Sequence, residues 1–454
     1  KTVSTETVEM NADVVVVGGG GAGLAAGAAA AEKGASVILL EKMAQLGCIF
    51  PFGDSYDDME QQALEMPYGI GQVSTLEMRR IRTLEEAAGW QRKMQETVMR
   101  QSPHHIPAIF HMEGLCGAFI QEGTSFPSGI ARGSGWDPEL EEKIAKVVAK
   151  QEAACGITHI LAPVLDISRD SRMGRQGETY GEDPALAAAL GAAYTKGIQT
   201  TEAGGRRPES VAKHFLGFHN SQGGIHGTNS DTPSRLMEEI YGKPFQSAIS
   251  ESELKGVMPC YNSIDGEPAS VSHRLLTELL REKMGFDGLC VSDYGGINNA
   301  HEVQRIGETI GETGLLAMEA GMDIEMPKAT GYGEELKEMF RSGQADTELL
   351  DRTVLRVLEA KFRMGLFEHP FAMDGESCQK IFEEKEGAEL SLQSARESMV
   401  LLKNNGILPL SGKIKKLALI GPHADCARKF FGGYAHLCMM ESVYAVASSI
   451  AGVE

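Results

Sequence analysis

The stretch GLCVSDYGG, residues 288–296, ends an apolar run with three polar residues, Ser292, Asp293 and Tyr294. A carboxylate at the end of a buried strand loses its hydration, so it needs either a partner or a chemical use. Asp and Ser are also common helix N-caps, and Asp293 taken alone therefore permits a purely structural interpretation. The rest of the chain has to decide between the two.

The same pattern recurs through residues 75–370, where runs of strand length end in polar residues and helical stretches separate them. Asp137 with Pro138 and Asp183 with Pro184 are typical helix starts. Strands and helices alternating at this spacing predict parallel strands with the helices outside. The segment therefore fits an α/β fold of the (β/α)8 type, a TIM-like barrel whose active site gathers at the carboxyl ends of the strands. The polar residues at predicted strand ends are Glu113, Asp166, Asp170, Lys213, His214, Tyr261, Asn262, Asp293, Asp323 and Glu325.

Composition limits the classes of partner. The 454 residues carry a formal charge of −20, which argues against nucleic acid or an anionic membrane as a partner, because both repel an acidic surface. The eight cysteines show no zinc-type spacing and predict a reducing compartment. The first ten residues are acidic and polar, so we expect no signal peptide and a cytoplasmic location, and a homo-oligomer stays open.

The N-terminal stretch ADVVVVGGGGAGLAAGAAAAEKGASVILLEK, residues 12–42, has the order strand, glycines, helix, strand and acid. It resembles the FAD-binding start of fumarate-reductase-like flavoproteins. The second strand is predicted at residues 36–40. Because the pattern stops near Gly47 and such a domain needs several more strands, FAD is only a weak candidate cofactor. The candidate FAD contacts are Gly18, Gly20, Gly23 and Glu41.

Three segments follow from these patterns. We predict a βαβ fragment over 1–47 with a linker over 48–82, and a barrel over 83–370 with a linker over 371–395. Residues 396–454 are expected to begin a second α/β domain, and KKLALIGPHAD, residues 415–425, is expected to start its first strand.

From about residue 83 onward the chain resembles glycoside hydrolase family 3, of the β-glucosidase and β-xylosidase type. The order of eight motifs over some 370 residues carries the resemblance, which implies the barrel and a hydrolase that keeps the anomeric configuration. The motifs are HMEGLCG, APVLDISRDSRMGRQGETYGEDP, AKHFLGF, MPCYNSIDG, GFDGLCVSDYG, AGMDIEMP, KFRMGLF and VLLKNNGILPL.

The resemblance implies a role for each motif residue. Asp293 matches the family's nucleophile, and cations such as Lys213 or Arg175 are expected to keep it ionised. Lys213, His214 and Arg175 match the residues that bind sugar hydroxyls. Glu113 stands where the family takes the hydroxyls farthest from the anomeric carbon. Tyr261 and Tyr294 are expected to line the sugar.

The resemblance defines the roles of four more residues of the same loops less closely. Direct contact with the sugar stays open for Asp166 and Glu182. Arg169 and Arg172 are expected to be structural partners of Asp170 or Glu178.

The general acid stays unassigned. In two-domain relatives a Glu of the second domain supplies it, and the corresponding region is expected beyond Glu454. Glu441 offers no physical ground for the role, and His226 is a weak alternative because some relatives use a loop histidine. We predict no metal site, although His104 with His105 and His219 with His226 are the nearest candidates.

These observations predict a retaining β-glycosidase that acts on β-D-glucosides, or β-D-xylosides, through a covalent glycosyl-enzyme. Two alternatives stay open at this point: an FAD-dependent oxidoreductase, and a sugar-binding remnant without turnover.

Overall fold

The computed structural model describes residues 36–51, 61–76, 78 and 81–441. Gly18, Gly20 and Gly23 lie outside the described residues. Seven parallel strands form one curved sheet in the order β1-β2-β3-β4-β5-β7-β10. The strands are β1 (Cys48–Ile49), β2 (Gln72–Ser74), β3 (Ile109–Met112), β4 (His159–Ile160), β5 (Glu209–Phe215), β7 (Gly256–Pro259) and β10 (Leu289–Cys290). A second small sheet contains β6 (Asn229–Ser230), β8 (Ser263–Ile264) and β9 (Glu267–Pro268).

Residues 324–325 close the large sheet into a barrel. Ile324 bridges Val291 beyond β10, and Glu325 bridges Gly47 before β1, both in parallel orientation. The Glu325 N–H donates to the Leu46 carbonyl at 3.0 Å. This segment takes the eighth place in the ring, so the predicted (β/α)8-type architecture is confirmed.

Helices surround the barrel, and polar caps fix where several of them begin. Thr83, Asp137 and Asp183 each accept a backbone N–H of the first helical turn, as the sequence predicted for the two aspartates. The main α-helices are Ser36–Gln45, Leu84–Gln101, Gly129–Gly135, Pro138–Ala154, Pro184–Gln199, Lys243–Ser252, Gly296–Glu302, Ile310–Ala320, Glu334–Arg341, Thr347–Arg363, Gly375–Phe382 and Lys385–Glu397, with π-helical turns at Met237–Tyr241 and Arg274–Lys283. In the described part of the chain no helix has the length and apolar character needed to cross a bilayer.

The predicted strand at residues 36–40 is wrong, because this stretch opens the helix Ser36–Gln45. Leu39, Met43 and Leu46 are buried in the main core. Their spacing of four and three residues places them on one helical face, and that face packs against the outer helices of the barrel.

The predicted boundaries at residues 47 and 83 are also corrected. Cys48–Ile49 and Gln72–Ser74 are the first two barrel strands, although they fall in the stretch 48–82 that was interpreted as a linker. Strands of two and three residues are too short to give an alternating pattern, so their pairing with distant strands, not their local sequence, defines them.

Two polar strand ends predicted to face the barrel mouth are structural. Asp323 is fully buried and accepts hydrogen bonds from Arg281 and Arg356. Glu325 is also fully buried, and its carboxylate accepts four hydrogen bonds from residues 330–332. Both carboxylates therefore have their lone pairs occupied within the fold.

The predicted strand within residues 415–425 does not form. Among the described residues after 398, backbone structure is irregular apart from short helical turns. Leu417, Leu419 and Ile420 are 72–90% exposed. A strand needs a partner for its backbone groups, and within the described part of the chain none pairs with this stretch.

Candidate active site

The parallel strands bring the predicted site residues to one end of the barrel. Glu113 follows β3, Lys213 and His214 lie near the end of β5, Tyr261 follows β7 and Asp293 follows β10. Because the carboxyl ends of the strands meet at one face, these side chains converge on a single mouth. Arg175 reaches the same group from the loop after β4, since its Nη2 lies 3.3 Å from His214 Nε2.

The two carboxylate oxygens of Asp293 differ in their hydrogen bonding to the described residues. Its Oδ1 accepts the Tyr294 N–H at 2.7 Å, whereas the buried Oδ2 has no hydrogen-bond partner among the described residues. The next helix, Gly296–Glu302, begins after Gly295 without a side-chain cap, so Asp293 does not serve as its cap. A carboxylate oxygen that is fixed in place but unshared is suited to nucleophilic attack.

Burial and nearby cations act in opposite directions on Asp293. Burial raises the pKa of its carboxyl and is the larger influence, while Lys213, Tyr261 and Arg175 lower that pKa. The expected effect of the two cations is therefore present, but it only partly offsets the loss of hydration.

His214 is oriented by Asp166. Its Nδ1 lies 2.7 Å from Asp166 Oδ2, which also accepts the His214 backbone N–H at 3.3 Å. Burial, followed by Arg175 and Lys213, holds the pKa of His214 well below its ordinary value, so the ring is neutral. With its proton on Nδ1 toward Asp166, the ring turns its Nε2 lone pair toward Arg175 Nη2 at 3.3 Å, and Nε2 lies 3.6 Å from Asp293 Oδ2. Asp166 itself is buried and acts through the histidine.

Lys213 and Glu113 form a partly buried ion pair. Lys213 Nζ lies 2.5 Å from Glu113 Oε2, and the Lys213 side chain is only 2% exposed. Burial raises the pKa of Glu113, and the neighbouring ammonium of Lys213 opposes that rise. The pair presents a donor and an acceptor side by side, which is the arrangement that a diol requires.

Arg175 is fixed by Glu178 in a two-bond pair, with Nε and Nη2 at 2.7 and 2.8 Å from the carboxylate oxygens. The guanidinium also lies over the Phe218 ring, 5.1 Å from its centroid. Of the two other arginines, Arg172 pairs with Asp170, as the sequence predicted. Glu178, which was assigned to Arg169 or Arg172, belongs to Arg175 instead.

The two tyrosines support the strand ends. Tyr261 donates its hydroxyl to the Tyr294 carbonyl at 2.8 Å. The Tyr294 hydroxyl turns into the barrel, where it lies 2.7 Å from both Ser74 Oγ and His111 Nε2. Tyr294 therefore anchors the loop that carries Asp293, a contact that its place in the motif did not reveal.

Two residues of the mouth, Phe218 and Tyr434, were not predicted from the sequence, and a third, Glu178, was assigned to other arginines. Glu178, Phe218 and Tyr434 all touch Arg175. Glu178 follows Arg175 by three residues, and this spacing of opposite charges was the available signal. Tyr434 lies about 260 residues away in the sequence, and no local pattern links it to the barrel.

The remaining candidates fall outside this group. Glu182 and His226 are exposed, although the His226 ring lies 4.9 Å from that of Tyr261. Glu441 is exposed and pairs with Arg428. His219 is buried beside Phe218. Within the described residues, no group of three or more His, Cys, Asp or Glu side chains could hold a metal ion.

The N-terminal candidate for a flavin contact does not fit that role. Glu41 lies on a helix rather than at a strand end, and its carboxylate accepts hydrogen bonds from Ser102 at 3.2 Å and from the His104 N–H at 3.3 Å. Its other oxygen lies 2.6 Å from His104 Nδ1. A ribose-binding carboxylate must lie at the end of the second strand and must have its oxygens available, and Glu41 meets neither condition.

Comparison with known proteins gives two family matches. Residues 38–360 match the glycosyl hydrolase family 3 N terminal domain. Residues 13–53 match an FAD binding domain, and this match overlaps the first barrel helix and strand.

Several similar proteins have related names. A beta-xylosidase from Formosa agariphila is 34% identical over 73% of this chain and 49% of its own length. A beta-glucosidase from Rhizobium radiobacter is 34% identical over 70% of this chain and 36% of its own length. The chain thus spans at most about half the length of these curated relatives.

Solved structures agree with these matches. A β-glucosidase from Erythrobacter marinus superposes with a TM-score of 0.77 at 30% identity, covering 86% of this chain and 51% of that one. A β-glucosidase involved in saponin metabolism from intestinal bacteria has a TM-score of 0.74 at 29% identity, covering 87% and 49%. Since one family model spans most of the chain, including every barrel strand described above, the chain belongs to glycosyl hydrolase family 3.

Proposed function

We propose that this protein is a retaining β-glycosidase that removes terminal β-D-glucosyl or β-D-xylosyl residues. The observation that carries the proposal is Asp293 at the barrel mouth, whose Oδ1 is fixed and whose buried Oδ2 accepts no hydrogen bond from any residue that the structure describes. Lys213, His214 and Arg175 surround it with groups that recognise hydroxyls. The names of the relatives, β-glucosidases and β-xylosidases, support the same substrate class.

The reaction would run in two displacements. Asp293 Oδ2 attacks the anomeric carbon from the face opposite the leaving group, so that an ester bond forms while the glycosidic C–O bond breaks. The departing oxygen takes a proton and leaves as an alcohol. Water then attacks the same carbon, loses a proton and releases Asp293, and the two inversions together retain the β configuration.

A mechanism-based label tests the proposal. Incubation with 2-deoxy-2-fluoro-β-D-glucosyl fluoride should leave a covalent fluoroglucosyl group. The fluorine at C2 slows both displacements, and the good leaving group at C1 keeps the first one fast enough for the glycosyl-enzyme to accumulate. Peptide mass spectrometry should place the added mass on Asp293. Labelling of another carboxylate would overturn the assignment.

Two variants complete the test. Asp293→Asn should lose the label and reduce turnover of p-nitrophenyl β-D-glucoside at least about 1,000-fold, the order expected when covalent catalysis is removed. Asp287→Asn, at an exposed aspartate paired with Lys255, is the matched control and should label as the parent does. A label that persists in Asp293→Asn contradicts the proposal.

We also infer a reducing compartment, in keeping with the cytoplasmic location expected from the sequence. The eight cysteines form no disulfide with one another, and seven of them are buried. One relative is named as a periplasmic β-glucosidase, so the location needs its own test. Fractionation of the source cells with an antibody should place the protein with cytoplasmic markers, and recovery with periplasmic markers would refute the inference.

A further inference from the structure

The segment around Tyr434 returns from beyond the barrel and is firmly seated at the loop that follows β3. Ala435 and Cys438 are buried in a cluster with Leu115 and Cys116. A Cβ at Gly432 would come within 3.2 Å of the Cys116 thiol, so this backbone lies directly against the loop. These contacts fix the backbone on both sides of Tyr434.

The Tyr434 side chain points into the candidate active site. Its ring lies over the Lys213 ammonium, with 5.5 Å between Nζ and the ring centroid. Its hydroxyl lies 3.4 Å from Arg175 Nη2. The ring also stacks with Phe119, the centroids being 6.2 Å apart at an angle of 24°. A tyrosine from outside the barrel thus contacts two of the cations that surround the sugar position.

The barrel topology shows which end of a bound sugar Tyr434 would meet. β3 and β10 take the third and seventh places in a ring of eight strand positions, so Glu113 and Asp293 face each other across the mouth. A pyranose with its anomeric carbon at Asp293 directs C4, the ring atom farthest from C1, toward Glu113. Lys213 is paired with Glu113, and Tyr434 covers Lys213. Tyr434 is therefore at the C4 end of the pocket.

We propose that Tyr434 determines selectivity at C4, by forming with Lys213 and Glu113 a wall that accepts an equatorial C4 hydroxyl and rejects an axial one. The inference rests on the proposed function and adds a specificity residue to it. An equatorial hydroxyl lies near the ring plane and reaches the Lys213–Glu113 pair. An axial hydroxyl projects out of that plane and away from the pair, and in the proposed arrangement it meets the Tyr434 ring.

The fixed position of Lys213 makes the discrimination sharp. An ammonium on four methylenes has many rotamers, but this one is held by the Glu113 carboxylate and by the ring above it. Glucose and xylose share the equatorial C4 hydroxyl and differ only at C5. The same wall therefore admits both sugars and excludes galactose, the C4 epimer of glucose.

The experiment compares epimers in a small set of variants. For the parent, Tyr434→Phe and Tyr434→Ala, kcat/KM is measured on the p-nitrophenyl β-D-glucoside, β-D-galactoside and β-D-xyloside. Tyr434→Ala should lower the glucoside-to-galactoside ratio at least about tenfold, the order of a small steric change in a pocket. Tyr434→Phe keeps the ring and should change the ratio less than about threefold. The glucoside-to-xyloside ratio should stay within about threefold in both variants.

A purely structural role for Tyr434 would lower all three activities together and leave the ratios unchanged, and that result would overturn the inference. Tyr434→Leu provides a second variant if Tyr434→Ala unfolds, and it should show the same change in ratio. Phe430→Ala is the matched control, because Phe430 lies on the same segment with 77% exposure. Its ratios should equal those of the parent.

Binding separates this inference from the proposed function. Dissociation constants of D-glucose and D-galactose are measured by ligand-observed NMR on the same proteins, and Tyr434→Ala should again lower the preference for glucose. A shifted binding preference without turnover in the parent would refute the glycosidase proposal and keep the role of Tyr434. Turnover with unchanged preference would refute the role of Tyr434 alone, and absence of binding of both sugars would refute it as well.

Discussion

At the scale of single residues, the state of His214 depends on one neighbour. Asp166 accepts hydrogen bonds from both the ring and the backbone of His214, and it is 3% exposed. This pairing keeps the ring proton on Nδ1 and leaves the Nε2 lone pair facing Arg175, whose Nη2 donates to it at 3.3 Å. Asp166 is thus a positioning residue whose effect passes through the histidine.

We expect Asp166→Asn to reduce kcat/KM for p-nitrophenyl β-D-glucoside about 10- to 100-fold, because a buried group left mispaired costs about 1–3 kcal/mol. The new amide can donate to Nδ1 and so drive the ring proton to Nε2, where it opposes the Arg175 donor. The rate of labelling by the fluoroglucoside should fall by the same factor. Asp170→Asn, at a partly exposed aspartate paired with Arg172, is the control and should stay within about twofold of the parent. Equal behaviour of the two variants would contradict the role of Asp166.

The partners of individual residues were harder to predict than their identities. The motif indicated Arg175 for the mouth, and the structure places it there, but Glu178 was assigned to a different arginine. Arg172 pairs two residues back with Asp170, whereas Arg175 pairs three residues ahead with Glu178. Both distances along the chain permit pairing. The backbone of two short 3-10 turns, which no sequence rule anticipates, decides between them.

At the scale of elements, the helix Ser36–Gln45 joins the barrel through a buried lysine. Lys361, on the helix Thr347–Arg363, is fully buried and donates to Gln45 Oε1 at 2.5 Å. Burial lowers the pKa of Lys361 to about 7 from an ordinary 10.5. Among the described residues, no carboxylate pairs with the Lys361 ammonium in the contact that attaches this helix. A buried charge without such a partner lowers stability near neutral pH.

The pH dependence of that cost can be measured. The unfolded lysine binds its proton below pH 10.5 and the folded one only below about 7, so the unfolded state holds more protons between these values. Lys361 therefore contributes a rise in the free energy of unfolding with pH, of about 2.5 kcal/mol between pH 7.5 and 9.5. The buried cysteines Cys48, Cys260 and Cys290, whose pKa values burial raises, contribute in the opposite direction, and the parent and the variants share that contribution. In Lys361→Met this rise should disappear, and the variant should be the more stable protein at pH 7.5.

Urea denaturation of both proteins at the two pH values tests this prediction. The control is Lys385→Met, at an exposed lysine on the helix Lys385–Glu397, which should keep the pH dependence of the parent. If Lys361→Met retains the full rise, another group titrates in this window and Lys361 is not its source.

The helix Ser36–Gln45 was predicted as a strand, and its sequence explains that error. The run SVILL is rich in β-branched and apolar residues and predicts a strand from local preference. Leu39, Met43 and Leu46 nevertheless repeat at helical spacing, and all three are buried. Burial of this helical face outweighs the local preference for a strand. The glycine-rich stretch before residue 36 favoured the flavoprotein interpretation, which requires a strand here.

At the scale of the whole molecule, the repeated polar strand ends made the barrel predictable from the sequence. The contacts that close the barrel could not be predicted in this way. Several strand ends with polar residues recur along one segment, and that recurrence depends on no single boundary. Closure depends on Gly47 and Glu325, which pair across almost the whole barrel sequence through one bridge. The segment 432–438 reaches the mouth by a similarly long connection. Contacts of this kind arise from the assembled fold and leave no local pattern.

The arrangement of the mouth as a whole leads to a prediction about proton transfer. Besides Asp293, the carboxylates that the structure describes around this group are engaged: Glu113 by Lys213, Asp166 by His214 and Glu178 by Arg175. None of these three is left to give a proton to the leaving alcohol. We therefore expect the steps that require proton transfer to be the slow ones, since general acid/base help is worth about 100- to 10,000-fold.

A comparison of leaving groups measures this directly. Dinitrophenolate is a good leaving group that needs no protonation, so dinitrophenyl β-D-glucoside should form the glycosyl-enzyme rapidly. Cellobiose has a poor leaving alcohol and should react at least about 100-fold more slowly. Azide needs no base to attack, so it should accelerate release from the glycosyl-enzyme and yield the β-glucosyl azide, identified by NMR. Asp293→Asn with azide is the control, because no glycosyl ester can form there. Comparable rates on the two substrates, unaffected by azide, would contradict this prediction and show that a proton donor is already present at the mouth. That donor would then be one of the three paired carboxylates or a residue outside the described ranges.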